Sequence, residues 1–162
     1  MKILNAKQLA EVDKKTIQKQ NISSWDLMER AAKKAFETIK PHISSKKQNI
    51  HIFAGIGNNG GDGLAIAYFL YQENYNVNLY LVEYANSKSE DNSKNYERLQ
   101  SETKIEINSI SDENFQIELN TNDICIDAIF GYGLNRPMPD FVQKLIRKIN
   151  QSETYGIAID VP

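Results

Sequence analysis

The sequence predicts an α/β domain: one mostly parallel sheet with helices on both of its faces. Three observations carry that expectation. From residue 50 onward, short apolar runs alternate with helical stripes, the signature of strand–helix–strand units. The run at 124–130, Ile-Cys-Ile-Asp-Ala-Ile-Phe, is apolar at nearly every position, as a parallel strand buried on both sides must be. A glycine-rich turn at 55–63 joins the first strand to the first helix of that alternating region.

Two helices precede the sheet. Asn5 and Gln8 have the spacing of a capping box, and Leu9, Val12 and Ile17 recur at near-helical spacing over residues 6–18. Ser23 with Asp26 gives a second cap. The stripe Leu27, Met28, Ala31, Ala32, Ala35, Phe36 and Ile39 then covers one helix face until Pro41 ends it. The expected strands lie at 50–54, 77–82, 104–107, 124–130 and 155–161, and the expected helices at 64–72, 89–101 and 140–149. Residues 89–101 read as a polar, exposed helix. In 140–149 the residues Phe141, Val142, Leu145, Ile146 and Ile149 share a face. Residues 111–120 are ambiguous.

Composition narrows the partners. The chain has 162 residues, enough for one domain, and is 41% hydrophobic and 25% charged. A net charge of −2 gives no basic field for nucleic acid or an anionic membrane. Cys125 is the single cysteine, which forbids an internal disulfide and fits a reducing compartment. The start turns polar after four residues, unlike a secretory signal, and no apolar run is long enough to span a bilayer. The expectation is a cytoplasmic protein with no nucleic-acid or membrane partner.

The chemistry concentrates in two loops. In an open parallel sheet the ligand lies beyond the carboxyl ends of the strands, where the strand order reverses. With strand order 3-2-1-4-5, that point lies between strands one and four. The turn at 55–63 would then face the loop Gly131-Tyr132-Gly133-Leu134-Asn135-Arg136-Pro137 across one crevice. Glycines allow close approach of backbone to ligand, a turn entering a helix offers free N–H groups to phosphate, and Asn58 and Asn59 add amides. The competing reading is a structural turn in which Asp62 only caps the helix. The match Gly55-x-Gly57-x-x-Gly60 also satisfies the dinucleotide fingerprint, with Glu83 as the ribose acid, so an NAD-dependent oxidoreductase is a rival.

Acids mark the same crevice. Asp127 interrupts an apolar strand, and a buried carboxylate needs a cation, hydrogen bonds or a proton. Asp160 ends the last apolar run. Asp62, Asp127 and Asp160 together suit Mg²⁺, while the asparagines and glycine-turn carbonyls suit a monovalent cation equally. Arg136 fits a phosphate contact or a surface charge. Pro137 and Pro139 stiffen the entry to the next helix. His42 and His51 read as structural or exposed, Cys125 as a core thiol and Trp25 as packing.

Four segments in register resemble the YjeF N-terminal domain family: Leu27-Met28-Glu29-Arg30-Ala31, Gly57-Asn58-Asn59-Gly60-Gly61-Asp62-Gly63, Asp127-Ala128-Ile129-Phe130-Gly131-Tyr132-Gly133-Leu134-Asn135-Arg136-Pro137 and Ile159-Asp160-Val161-Pro162. The resemblance covers essentially the whole chain, with Ala32 where a glycine is common. It implies a Rossmann-like three-layer sandwich, commonly dimeric, that interconverts the R and S forms of hydrated NADH and NADPH. This is a metabolite repair, coupled to an S-specific dehydratase that restores the cofactor. By position, Asn58, Asn59, Gly60, Gly61, Asp62, the segment Gly131, Tyr132, Gly133, Leu134, Asn135, Arg136 and Pro137, and Asp160 match the segments that bind the hydrate. Asn59 and Asp127 match ligands of a potassium ion. The family pattern continues from Asp-hydrophobic-Pro into Ser-Gly, and its serine completes the ion's side-chain ligands. The sequence stops at Pro162, so it reads as a single domain truncated at its C-terminus.

The implied reaction needs an acid to protonate a departing hydroxyl and a base to activate returning water. Asp160 is the first choice for that exchange and Asp62 the second. The alternatives are a non-catalytic scaffold of the same fold and the oxidoreductase.

Overall fold

The structure, a computed structural model, describes residues 5–132 and 137–160, apart from the side chain of Ala6. Helices α1 (Ala6–Gln20) and α2 (Ser24–Ile39) come first. Both start at full capping boxes, on Asn5 with Gln8 and on Ser23 with Asp26, so two otherwise unpaired donors are satisfied at each start. Pro41 falls in a short 3-10 turn, Lys40–His42, directly after α2.

The alternating region follows as β1 (Asn49–Ala54), α3 (Asn58–Gln72), β2 (Asn76–Val82), α4 (Glu90–Glu102), β3 (Ile107–Ile110), β4 (Ile124–Ala128), α5 (Asp140–Gln151) and β5 (Tyr155–Ala158). Among the described residues the sheet has order β3-β2-β1-β4-β5, with every pairing parallel. The strand order reverses between β1 and β4, as expected. The arrangement is Rossmann-like. One face of the sheet packs Ile50, Ile52, Ala54, Leu79, Ile124 and Ile126 against α2, α3 and α4. The other packs Phe53, Val82, Cys125 and Ile129 against Val142 and Leu145 of α5, together with Ile117 of the irregular segment before β4.

Several expectations need correction. The strand expected at 104–107 lies at Ile107–Ile110, because the register of β2 with β3 starts at Leu79 opposite Ile107. The strand expected at 124–130 ends at Ala128, and Ile129 begins the turn toward the site. The last strand stops at Ala158. On α1, Leu9 and Val12 are exposed rather than packed, so the apolar stripe of that helix does not face the core.

The larger corrections concern α3 and α4. The glycine-rich stretch is not a nine-residue loop, because α3 is already helical at Asn58. Glycine is a poor helix former, at about 1 kcal/mol per residue against alanine, so the local sequence argues for a turn. Packing overrides it. A Cβ on Gly60 would lie 1.8 Å from the Gly55 carbonyl oxygen, and one on Gly63 would lie 2.6 Å from the Ala128 Cβ. None of the described glycines has a positive φ, so close approach, not backbone freedom, selects glycine here. The polar helix α4 is not an exposed surface element either. Asp91, Asn92, Asn95 and Leu99 are buried, and the two asparagines face α3.

No helix among the described residues is long and apolar enough to cross a membrane.

Candidate active site

The sheet brings the two expected loops together. Gly55 N–H donates to the Ala128 carbonyl at 3.0 Å, and Asn59 Nδ2 donates to the Phe130 carbonyl at 2.8 Å. The first contact extends the β1–β4 pairing by one residue. The second ties the first turn of α3 to the turn after β4. Gly131 sits so close that an added Cβ would lie 2.5 Å from Asp160 Oδ2 and 3.3 Å from the Asn59 Cβ. Gly131 is therefore the point where three parts of the site meet.

Above these contacts lies a cavity of about 1190 Å³, lined by Asn58, Asn59, Asp62, Gly131, Tyr132, Pro137 and Asp160 and flanked by α1 and the segment after β2. The volume exceeds the range of about 300–1,000 Å³ usual for small-molecule sites, so a dinucleotide has room. The residue before α3, Gly57, makes no side-chain cap, which leaves the helix N-terminus open to an anion. Gly60 and Gly61 are buried beneath the lining and shape it from behind. Gly133, Leu134, Asn135 and Arg136, expected in the site, lie outside the described residues, as do Val161 and Pro162.

The floor of the first loop is held by residues the sequence reading missed. Asn92 Nδ2 donates to the Gly55 carbonyl at 2.9 Å and to the Gly57 carbonyl at 3.0 Å, and Asn95 Nδ2 donates to the Gly61 carbonyl at 3.2 Å. The signal was present: Asn92, Asn95 and Leu99 follow i, i+3, i+7 spacing, but polar members hid the face. Trp25, read as packing, donates from Nε1 to Asn95 Oδ1 at 3.3 Å and so supports the same shelf.

The three expected acids separate. Asp160 Oδ2 accepts the Tyr132 N–H at 2.9 Å, and its backbone is left-handed, with φ 75°. Aspartate enters this region more readily than most residues, as asparagine does at Asn21 and Asn74. Asp62 lies in the second turn of α3 and does not cap it, contrary to the capping reading. It lines the cavity. Burial, reinforced by the charges of Asp160, Asp13 and Asp91, pushes its carboxyl up to about 7. Asp127 does not line the cavity; it is half-buried, and its Oδ1 accepts the Ile129 N–H at 2.9 Å. Burial raises its carboxyl, and that hydrogen bond opposes the rise.

Among the described residues no group of three or more His, Cys, Asp or Glu is placed to hold a metal, so the three acids do not form a Mg²⁺ cluster. One oxygen nevertheless fits a cation. Asn59 is buried, its Nδ2 is committed to Phe130, and its Oδ1 has no hydrogen-bond partner. An orphaned buried carbonyl-type oxygen is unfavourable unless something positive meets it. Glu83, the ribose acid of the oxidoreductase reading, accepts from Ser109 Oγ and pairs with Lys88 at 3.4 Å, and it does not line the cavity. His51 is buried against Asp123 and Tyr80, and Cys125 is a buried core thiol, both as expected.

A family model, described as YjeF-related protein N-terminus, matches residues 24–162, which include both loops and Asp160. The chain belongs to this family. Among members with curated names, proteins called NAD(P)H-hydrate epimerase are similar to it. That of Leuconostoc citreum is 32% identical, over 100% of this chain and 69% of the relative. That of Weissella koreensis is 31% identical, over 98% and 69%. That of Lentilactobacillus buchneri is 35% identical, over 94% and 68%. The crystal structure of yeast ynu0, YNL200c, superposes with a TM-score of 0.82 over 100% of this chain and 71% of that one, at 24% identity. That likeness speaks to the YjeF-related fold alone.

Proposed function

We propose that the chain is an NAD(P)H-hydrate epimerase, an isomerase that interconverts the R and S forms of hydrated NADH and NADPH. The observation that carries this reading is one dinucleotide-sized cavity lined by the start of α3 and by the described part of the second loop, which the Asn59 amide ties together at the Phe130 carbonyl. The N–H groups of that terminus, at Asn58 and Asn59, suit the pyrophosphate. Asn58, Asn59, Asp62, Tyr132 and Pro137 enclose the rest, with Gly60, Gly61 and Gly131 keeping the backbone close to it.

The hydrate carries its hydroxyl on the carbon beside the ring nitrogen. The nitrogen lone pair can expel that hydroxyl once it is protonated, and water can return on either face. In this reading Asp160 exchanges the proton of the water, and what supports it is that Asp160 lines the cavity with its carboxylate held by the Tyr132 N–H. Neither step needs a redox partner.

A potassium ion is part of this reading. Asn59 Oδ1 and the Asp127 carboxylate would hold it, and the orphaned Asn59 oxygen is the feature that supports the assignment. The ion would supply positive charge beside the dinucleotide. We also propose a cytoplasmic homodimer whose S-form product is consumed by a dehydratase. Light scattering that returned the mass of one chain would remove the dimer from the proposal.

The deciding assay supplies the R form of NADPH hydrate with an S-specific dehydratase and follows NADPH recovery. Recovery accelerated by the chain, and stimulated by potassium over sodium, is expected. A chain that leaves the spontaneous rate unchanged is not an epimerase.

A further inference from the structure

We infer that Asp62 is a second catalytic residue of this site, giving its proton to the departing hydroxyl while Asp160, which lines the same cavity, receives a proton from the returning water. The inference rests on the epimerase reading and assigns the half of the exchange that Asp160 alone leaves open.

Geometry separates Asp62 from the other acids. Asp160 is committed to the Tyr132 N–H and Asp127 to the Ile129 N–H, while Asp91 has Lys94 at 3.7 Å. The Asp62 side chain has no hydrogen bond or ion pair to the described residues, although it lies on a helix and is more buried than exposed. A carboxyl kept there without a partner is unfavourable as an anion. The groups acting on it come from three separate elements, and all are acids: Asp160 after β5, Asp13 on α1 and Asp91 on α4. The lysines lining the same cavity are Lys14 and Lys88, and Lys88 is drawn off by Glu83. The arrangement therefore favours the protonated acid, and the carboxyl is raised to about 7. Two carboxyls in one cavity, one tied to a backbone N–H and one kept neutral, are a pair whose environments divide acid from base.

The step balances. The Asp62 O–H bond breaks as its proton joins the hydroxyl oxygen of the hydrate. The C–O bond then breaks to release water, while the ring-nitrogen lone pair forms the C=N⁺ bond. Water adds to the other face of that carbon, the C=N⁺ π pair returns to nitrogen, and the proton lost by the water goes to Asp160. One proton has passed from Asp62 to Asp160. Transfer back through water, or a turnover in the reverse direction, resets the site.

Epimerisation by Asp62→Asn, at saturating potassium, should show kcat reduced by about 10²–10³-fold, in the range usual for losing a general acid, with KM changed far less. The wild-type profile should lose activity as pH rises through about 7, and that limb should vanish in the variant. A raised KM with kcat intact, or a persisting limb, overturns the role. A second measurement does not depend on turnover. The Asp62 carboxyl, followed by carbon NMR, should titrate near 7 and shift downward in Asp160→Asn, which removes a neighbouring charge. A midpoint at the ordinary aspartate value of about 3.9 overturns the inference. An inactive wild-type chain with Asp62 still titrating near 7 would defeat the epimerase reading instead, and the catalytic role with it.

Discussion

Asp62 is a residue for which the sequence offers two roles, a helix cap and a second choice for the acid–base exchange. Its position after Asn-Asn-Gly-Gly suggests a cap, yet the helix starts four residues earlier and the carboxyl faces the cavity. Its proton depends on burial and on three acids far away in sequence, so the local pattern could name Asp62 as a candidate but could not show which form of the carboxyl is favoured. The folded state raises this carboxyl from 3.8 to about 7. Its share of stability is therefore full below the unfolded value and lost as pH rises through the folded one. Asp62→Asn should match the wild type near pH 4 and exceed it at pH 8, by at most about 4 kcal/mol. Urea unfolding at the two pH values checks this. An equal gap at both would mean that the carboxyl is not raised. Greater stability bought with lost turnover is the expected trade at a working site.

Helices α3 and α4 were legible in existence but not in burial or start. The glycines that open α3 read as a loop because local propensity disfavours helix there. Their reason lies in what passes beside them, and it differs from one glycine to the next. A Cβ at Gly60 would collide with the Gly55 carbonyl oxygen at 1.8 Å, whereas the nearest atom to one at Gly57 is the Tyr84 hydroxyl, at 3.8 Å. Gly60→Ala should unfold the loop–helix junction, lowering stability by about 3 kcal/mol or more, in the range of severe overpacking. Gly57→Ala should stay within about 1 kcal/mol of the wild type. Thermal unfolding of the two variants separates packing from a general need for glycine, since a common effect would favour the latter. In α4 the hidden face is polar. Asn92 and Asn95 are buried with their amides donating to the carbonyls of Gly55, Gly57 and Gly61, so the polar face of α4 is satisfied against the start of α3. A periodicity search on apolar residues alone passes over such a helix.

At the scale of the whole molecule, the site exists because the strand order reverses between β1 and β4, which sets both loops at one end of the sheet. The tie between them is the Asn59 amide on Phe130. Asn59→Ala removes one partly buried hydrogen bond, worth about 1 kcal/mol. Amide exchange at residues 129–132 should therefore quicken by roughly 5-fold, at that energy for each factor, while β1 and β2 stay protected. Unchanged exchange there would mean that β4 alone holds the second loop.

The sequence by itself determined the α/β alternation, the two capped helices, the buried central strand and the two loops that form the crevice. Each is written in a local period or a local cluster of residue types. Only the tertiary structure decided where α3 begins, that α4 is a buried shelf, that Leu9 and Val12 of α1 stay in solvent, and which of three aspartates faces the cavity without a partner. Those outcomes depend on atoms brought close from distant parts of the chain. Glycine contacts at the β1–β4 switch and charges converging from α1, α4 and the end of β5 override what each segment prefers alone.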